Sequence, residues 1–358
     1  MRVPSRLSIP YIIRNYQEKF PFSAFPTRNR KQDEKKADAI LGKTMYLSHL
    51  ITSLLAFVGM WIGAGLIIKA TDSFSQRLRL SSFAFSFFVL GMFTSTPEFA
   101  LGMTALAEKN PEIFIGDLIG GIPVLFLLAI PLLAILGNGI NLHAQLRDRN
   151  LLIAFVVMLA PTFFVMDRVI TSVEAIVMLG LYGLLFVLIE REHGLLDTSN
   201  GALFRIRQYS LLEIIKVVIG IGIVFVASHL IVEDTLFFAD AFSLSAFTVS
   251  IVVLSLGTNL PELSLAIRSV LAGKKDIAFG DYVGSAAANT FLFGIFTLLS
   301  DGASVTVKNF FGTFLIVSVG LALFFFFARS GRKVTRREGI CLLGLYVVFI
   351  IIEGWGKI

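Results

Sequence analysis

Two glutamates, each placed directly after a proline inside an apolar stretch, carry the clearest chemical signal in this 358-residue chain. They are Glu98, after Pro97, and Glu262, after Pro261. A carboxylate deep in an apolar membrane helix costs on the order of 2.5–3.5 kcal/mol, so it persists where a cation, a proton or a polar partner compensates its charge. A proline also frees the backbone carbonyl four residues earlier. The pattern therefore indicates cation or proton binding within an apolar environment.

The two glutamates belong to an internal repeat. Sliding the first copy by 164 positions aligns the two copies without a gap, and seven identities then coincide. Because several of these identities are polar residues inside apolar segments, the repeat indicates a duplicated functional element. The identities are Thr94/Thr258, Pro97/Pro261, Glu98/Glu262, Leu101/Leu265, Gly116/Gly280, Asp117/Asp281 and Gly120/Gly284.

Further oxygen donors surround each glutamate. In the second copy Asp281, Ser285 and Asn289 recur every four residues, which places them on one face of a helix. The first copy retains only Asp117 of this stripe. The candidate metal-binding residues are Glu98, Glu262, Thr94, Thr258, Ser95, Asn259, Asp117, Asp281, Ser285 and Asn289.

Backbone oxygens are expected to complete the site. A hard divalent cation prefers six to eight oxygen ligands at about 2.3–2.6 Å, a number that two glutamates cannot supply. We expect the carbonyls freed at 93–94 and 257–258 to turn toward the cation, as unwound transporter helices do. The alternative is an ordinary proline kink in which hydroxyl side chains bond back to their own helix.

The composition requires a membrane protein. Hydrophobic residues make up 56% of the chain and charged residues only 16%, against about 25% charged in soluble domains. We predict an all-α integral membrane protein of about ten transmembrane helices in two inverted five-helix repeats, since an odd number of helices per half opposes the two copies. The predicted units are a basic tail at 1–44, a first repeat at 45–190, a central loop at 191–210 and a second repeat at 211–358. The expected spans, each near the roughly 20 residues that cross a bilayer, are 46–68, 82–107, 112–136, 150–166, 169–189, 211–232, 244–271, 276–299, 309–328 and 339–354.

Charge and motif content exclude several other classes. The tail holds ten Lys or Arg and four Asp or Glu, which accounts for the whole net charge of +6. Membrane lipid rather than nucleic acid is therefore the expected partner. No Gly-x-x-x-x-Gly-Lys-Ser/Thr loop is present, which argues against a nucleotide-driven pump. We expect no enzyme activity, no cofactor, a monomeric state and a multi-pass location in the plasma membrane.

These motifs resemble the two α-repeats of the cation/calcium exchanger superfamily, particularly its sodium/calcium exchanger branch. The resemblance is carried by residues 257–262 (Gly-Thr-Asn-Leu-Pro-Glu) and 280–285 (Gly-Asp-Tyr-Val-Gly-Ser), followed by Asn289. It implies ten helices, a central site that binds calcium or sodium in turn, and exchange by alternating access. It assigns the main calcium ligands to Glu98 and Glu262, backbone-oxygen ligands to Thr94 and Thr258, and further donors to Ser95, Asn259, Ser285 and Asn289.

The first copy departs from the family pattern. Phe93 stands where the family has Gly, Gly121 where it has Ser, and Leu125 where it has Asn or Asp. Both copies also carry an aspartate, Asp117 or Asp281, where the family usually has Asn. Because unpaired buried carboxylates are costly, these departures keep proton coupling open beside sodium coupling.

The sequence thus predicts a secondary active cation antiporter. Exchange of Ca²⁺ for Na⁺ is the first hypothesis, and antiport of H⁺ against Ca²⁺ or another cation on the same scaffold is the alternative. An intramembrane aspartyl protease using Asp117 and Asp281 would leave the paired Pro-Glu elements unexplained. A receptor that binds cations without transporting them is the remaining interpretation, and mutation of Glu98 or Glu262 separates these classes.

Overall fold

The structure is a computed structural model that describes residues 30–78, 87, 91–141, 148–193, 211–263, 267, 275–305, 310–331 and 333–355. These residues are mainly helical, as the apolar runs predict. π-helical segments lie at Val124–Ala129 and Ser250–Leu254, a 3₁₀ turn at Val165–Asp167 and a helical turn at 260–263. The α-helices are α1 (Arg30–Leu78), α2 (Gly91–Thr94), α3 (Thr96–Ala107), α4 (Pro111–Pro123), α5 (Ile130–Leu136), α6 (Asp148–Phe164), α7 (Ser172–His193), α8 (Leu211–Ala241), α9 (Ala246–Val249), α10 (Ser255–Thr258), α11 (Lys275–Leu299), α12 (Phe311–Gly331) and α13 (Arg336–Trp355).

The all-α membrane architecture is confirmed. Eight helical segments in the described part of the chain are long and apolar enough to cross a membrane. The predicted number of ten is not confirmed. The expected span at 82–107 lies partly outside the described residues, and the expected span at 339–354 falls within α13.

The N-terminal boundary differs from the sequence-based expectation. Helix α1 begins at Arg30, inside the segment 1–44 that was expected to be a tail, and residues 1–29 lie outside the described residues. The segment 30–44 contains five Lys or Arg, two Ala and one each of Gln, Glu and Leu, all of which have high helix propensity. These residues can therefore extend the apolar helix beyond its membrane-spanning part.

The spans separate into a core and a periphery. The span Pro111–Leu136, through α4 and α5, is 83% buried, and Tyr282–Leu299 of α11 is 78% buried. The spans Gly42–Ile67 of α1 and Ile214–Ala241 of α8 are each only 28% buried. The repeat motifs of α4 and α11 therefore lie in the most buried spans, at the centre of the helix assembly.

The peripheral helices α1 and α8 pack against each other through glycines. A Cβ atom added at Gly63 would lie 2.9 Å from the carbonyl oxygen of Gly220, and one added at Gly220 would lie 2.7 Å from that of Gly63. A buried carboxylate also joins them, because Asp234 lies 2.6 Å from His49 Nδ1 and accepts a hydrogen bond from Ser53 at 2.7 Å. Small residues and polar contacts of this kind hold membrane helices together.

Two short antiparallel ladders join the two halves. Strand β1 (Ile140–Asn141) pairs with β4 (Lys333–Val334), and β2 (Val169–Ile170) pairs with β3 (Ala303–Ser304). In each ladder the segment that follows the third helix of one half pairs with the link between the fourth and fifth helices of the other half. This reciprocal pairing is the arrangement that a repeat related by a twofold axis requires.

Candidate cation site

The motif helices are interrupted at equivalent positions. Ser95 separates α2 from α3, and Asn259 separates α10 from the turn at 260–263. The interruption is slight, because the Ser95 N–H still donates to the carbonyl of Gly91 at 3.2 Å and the Phe99 N–H to that of Ser95 at 3.0 Å. Each glutamate follows its interruption by three residues, within the first helical turn.

Glycines bring these interrupted helices against α4 and α11 at backbone distance. A Cβ atom at Gly120 would lie 2.5 Å from the carbonyl oxygen of Ile251, and a Cβ atom at Gly284 would overlap that of Phe87. The offset of 164 positions relates Gly120 to Gly284 and Phe87 to Ile251, so the two contacts are equivalent in the repeat. The backbone contact explains why a glycine stands at both positions, and it sets the distance at which the polar side chains meet.

The two glutamates are buried at this crossing. Glu98 is 1% exposed and Glu262 is 0% exposed. Both carboxylate oxygens of Glu98 have no hydrogen-bond partner among the described residues, whereas Oε1 of Glu262 accepts from the Ser285 hydroxyl at 3.1 Å and its Oε2 has none. The charges of the two carboxylates act on each other across the crossing.

Asp117 lies beside the second interruption. Its Oδ1 accepts a hydrogen bond from the Thr258 hydroxyl at 2.9 Å, and its Oδ2 has no partner in the described part of the chain. The Asn259 amide Nδ2 donates to the Ser255 carbonyl at 2.8 Å, and its Oδ1 has no such partner. The carboxylate of one half is therefore paired with the interrupted helix of the other half.

The hydroxyl groups of the first interruption bond back to their own helix. Thr94 and Ser95 donate to the carbonyl of Gly91 at 3.1 and 2.9 Å, and Thr96 donates to the carbonyl of Phe93 at 2.6 Å. The Phe93 carbonyl was expected to face a cation. It instead accepts a hydrogen bond from the Thr96 hydroxyl, as a carbonyl does in an ordinary proline kink. Ser95 also lies 3.1 Å from the Ser285 hydroxyl, which links the two halves.

Within the part of the chain that the structure describes, six buried oxygen atoms of this site have no hydrogen-bond donor. Buried polar atoms are nearly always hydrogen-bonded, so a set of unpaired oxygens requires another partner, and hard cations take oxygen ligands in this number. No three His, Cys, Asp or Glu side chains of the described residues converge as a metal-binding group, so hydroxyl, amide and backbone oxygens must contribute. The unpaired atoms are Glu98 Oε1 and Oε2, Asp117 Oδ2, Asn259 Oδ1, Glu262 Oε2 and Asn289 Oδ1.

Nine of the ten candidate residues are buried in the membrane core, and the tenth, Asp281, belongs to α11 with its side chain outside the described part. Sequence reasoning missed Tyr282, whose hydroxyl donates to the Glu262 carbonyl at 3.3 Å. A tyrosine inside an apolar helix was the available signal, because a buried phenol needs a hydrogen-bond partner. The buried nine are Thr94, Ser95, Glu98, Asp117, Thr258, Asn259, Glu262, Ser285 and Asn289.

Comparison with known proteins agrees with this architecture. Putative antiporter CaxA of Alkalimonas amylolytica is 23% identical over 311 residues, which cover 83% of this chain and 97% of that protein. Inner membrane protein YrbG of Escherichia coli (strain K12) is 24% identical over 321 residues, covering 84% and 98% of the two chains. A solved structure of the sodium-calcium exchanger NCX_Mj, soaked with 100 mM Na⁺ and 10 mM Sr²⁺, has the same fold, with a TM-score of 0.62 at 20% identity over 85% of this chain and 98% of that one.

A family profile settles the classification. The profile described as "Sodium/calcium exchanger protein" matches residues 48–189 and 213–355, one stretch in each half of the chain. The two matched stretches leave out the segment that the sequence predicted as a central loop. Because they cover most of the chain, it belongs to the sodium/calcium exchanger protein family.

Proposed function

We propose that this member of an exchanger family, a membrane transporter and not an enzyme, exchanges Ca²⁺ for Na⁺ by alternating access. The observation that carries the proposal is the pair of buried glutamates at the crossing of the two halves, three of whose four carboxylate oxygens have no hydrogen-bond partner among the described residues. Two carboxylates match the charge of one divalent cation. Glu98 and Glu262 would bridge Ca²⁺, with oxygens of Thr94, Ser95, Thr258 and Ser285 completing its ligands, and the repeat extends the same expectation to Asp281.

The charge of this site explains why transport would be an exchange. When Ca²⁺ leaves, two buried carboxylates remain close to each other, and both desolvation and mutual repulsion disfavour that state. The empty site must therefore bind another cation before the protein switches from the state that is open to one side of the membrane to the state that is open to the other. Countertransport then follows from electrostatics without any additional device.

Protons are the second candidate for the counter-ion. The observation that favours them is the number of buried carboxylates, since Asp117 adds a third to the two glutamates. Proton binding would neutralise the empty site one group at a time. A transport measurement in which only a Na⁺ gradient or only a pH gradient is present therefore distinguishes the two counter-ions.

The cell membrane is the proposed location. The Escherichia coli relative is named an inner membrane protein, and the outward faces of α1 and α8 are apolar and exposed, as at Leu54 and Val218. Such faces suit contact with lipid acyl chains. We propose a monomer as the working unit, because both halves of the site come from one chain.

The deciding experiment is ⁴⁵Ca²⁺ uptake into proteoliposomes that contain the full chain. An outward Na⁺ gradient is compared with a pH gradient of the same direction. Glu98→Gln should abolish uptake, and Glu233→Gln, which removes an exposed carboxylate of α8, should leave it unchanged.

Uptake driven by Na⁺ alone establishes sodium/calcium exchange. Uptake driven by the pH gradient alone replaces Na⁺ by H⁺ as the counter-ion. No uptake under either gradient from a folded protein, or full uptake by Glu98→Gln, overturns the proposal.

A further inference from the structure

The proline inside α6 leaves a buried backbone acceptor within the helix assembly. Pro161 has no N–H group, so the carbonyl of Val157, four residues earlier, lacks the donor that a helix normally supplies. Val157 is 0% exposed, and a buried backbone carbonyl without a donor costs free energy. A donor from outside α6 would therefore stabilise the fold at this point.

Thr290 of α11 supplies that donor. Its hydroxyl donates to the Val157 carbonyl at 2.9 Å, and Thr290 is itself 0% exposed. A threonine inside a helix commonly bonds back to a carbonyl of its own helix, as Thr104 does in α3. The bond from Thr290 instead joins two helices, and both of its ends are held close to helix backbones. It therefore limits how far α11 can slide or rotate against α6.

The same helix carries a side chain of the cation site. Ser285 donates to Glu262 Oε1 at 3.1 Å and lies 3.1 Å from the Ser95 hydroxyl. Thr290 follows Ser285 by five residues, which is about 140° around the helix. Helix α6 thus holds α11 from a different face than the one that meets the motif glutamate. A shift of α11 would change both contacts of Ser285 together.

The first half cannot form the same bond. The offset of 164 positions pairs Thr290 with Phe126 and Pro161 with Phe325, so both the hydroxyl and the proline are replaced by apolar rings. Phe126 packs against Phe324 with ring centroids 5.1 Å apart. Apolar packing is not directional, so it restricts the position of a helix less than a hydrogen bond does. The directional contact therefore belongs only to the half that retains the serine of the motif.

We propose that Thr290 is a positioning residue of the cation site, which holds Ser285 at Glu262 by anchoring α11 to the carbonyl that Pro161 frees in α6. The inference rests on the proposed antiport function, and it adds a residue that acts through Ser285 rather than by contacting the ion. A site whose groups are ordered in advance loses less free energy on binding. Loss of the anchor should therefore weaken Ca²⁺ binding even when the protein is folded.

Disulfide formation between Ser95→Cys and Ser285→Cys measures the position of α11 directly. The two hydroxyls lie 3.1 Å apart, so cysteines at these positions can react with each other under mild oxidation. The single native cysteine, Cys341, is replaced by alanine. In the purified full chain, Thr290→Val keeps the shape of the side chain but removes the hydroxyl, and it should slow disulfide formation several-fold. Thr290→Ser, which keeps the hydroxyl, should restore most of the rate.

The matched control is Thr297→Val. Thr297 is also fully buried in α11, and its hydroxyl has no hydrogen-bond partner in the described part of the chain. This change should leave the rate of disulfide formation unaltered. With Ser95 and Ser285 intact, isothermal titration should show Ca²⁺ binding weakened about threefold to tenfold by Thr290→Val, the range of one neutral hydrogen bond. Thr290→Ser and Thr297→Val should each change it less than about twofold.

A second variant decides the question if Thr290→Val does not fold. Pro161→Ala returns an N–H donor to the Val157 carbonyl from within α6. The bond to Thr290 should then weaken without leaving the carbonyl unpaired, and disulfide formation should again become slower.

An unchanged rate of disulfide formation in folded Thr290→Val, or in Pro161→Ala where Thr290→Val does not fold, would overturn the anchor. Equal slowing by Thr297→Val would do so too, because the effect would then follow from any lost hydroxyl in α11. A slower rate with unchanged Ca²⁺ affinity would show that the anchor does not act on the cation site. Failure of the proposed function looks different, since Ca²⁺ would not bind to the unsubstituted protein while disulfide formation still depended on Thr290.

Discussion

The two motif glutamates have the same sequence context and different surroundings. In the described part of the chain neither carboxylate oxygen of Glu98 has a hydrogen-bond partner, whereas Glu262 is held by Ser285 at one oxygen and by Tyr282 at its carbonyl. The difference arises because Gly121 in the first half stands at the position of Ser285. A duplicated motif therefore produces one glutamate whose carboxylate is held by a serine hydroxyl and one that lacks this contact.

The largest expected effect comes from replacing each glutamate by glutamine. At Glu262 the glutamine side chain can donate its Nε2–H group to the Ser285 hydroxyl oxygen and keep its own Oε1 for the cation. At Glu98 no serine hydroxyl stands at the position equivalent to Ser285, because Gly121 replaces it, so the N–H group competes with the cation. We expect Glu98→Gln to weaken Ca²⁺ binding about 100-fold or more, roughly 2.8 kcal/mol, and Glu262→Gln only about tenfold, roughly 1.4 kcal/mol.

Isothermal titration of both variants against Ca²⁺ measures this difference. Equal losses at the two positions, or a larger loss at Glu262, would show that the hydrogen bond from Ser285 does not distinguish the two glutamates. A melting curve for each variant provides the control for folding.

The helix crossings should behave alike in the two halves, in contrast to the glutamates. Gly120→Ala and Gly284→Ala would each drive a methyl group into a backbone carbonyl, of Ile251 and Phe87 respectively. We expect each to lower the free energy of unfolding by about 1–3 kcal/mol, as overpacking does. Thermal unfolding in detergent is the measurement.

Gly183→Ala in α7 is the matched control for the crossings, because a Cβ atom there would meet nothing within 4 Å. It should leave stability unchanged or raise it by up to about 1 kcal/mol, through helix propensity. A variant at Gly120 or Gly284 that is as stable as this control would show that the two helices do not cross in backbone contact.

The smallest direct effect on Ca²⁺ affinity is expected from Ser285→Ala. This change removes the contact that distinguishes the two glutamates, so their contributions to Ca²⁺ binding should become more similar. Loss of a hydrogen bond to a charged group costs about 1.5–3 kcal/mol in general, but here the cation can engage the oxygen that is released. We therefore expect Ca²⁺ affinity to fall less than about tenfold. In a Ser285→Ala background, Glu262→Gln should become as damaging as Glu98→Gln.

A double-mutant cycle between Ser285 and Glu262 quantifies that coupling. Ser285→Ala combined with Glu98→Gln is its control, and these two changes should add. Additive losses in the Ser285 and Glu262 pair would mean that the contact at 3.1 Å has no influence on ion binding.

The sequence predicted the class of fold and the central residues because these are encoded locally. Apolar runs, prolines and the repeat placed Glu98, Glu262 and Asp117 in the membrane core, and the structure buries all three. Family membership was also predicted correctly. The number of ten spans was not confirmed. Helix α1 begins at Arg30, before the apolar span expected at 46–68, because its charged first turns have helix propensity but no apolar periodicity.

Contacts between the halves could not be predicted. The hydrogen bond from Thr258 to Asp117 and the packing of Asn259 against Gly121 join residues more than a hundred positions apart. The turns before β1 and β3 were detectable but overlooked. Asn138-Gly139 and Asp301-Gly302 adopt positive φ in both members of each pair, which Asn, Asp and Gly tolerate best in turns.

The reciprocal pairing of the halves bears on how the protein is made. Chains are synthesised from the N-terminus at about 5–20 residues per second, so roughly 10–30 s separate the synthesis of Glu98 from that of Glu262. During that interval Asp117 lacks Thr258, and the edges of β1 and β2 lack the strands that later pair with them. A nascent chain arrested after α7 would expose unpaired carboxylates in its helices and unpaired backbone groups at β1 and β2, the features by which an unfinished membrane protein can be distinguished from a complete one.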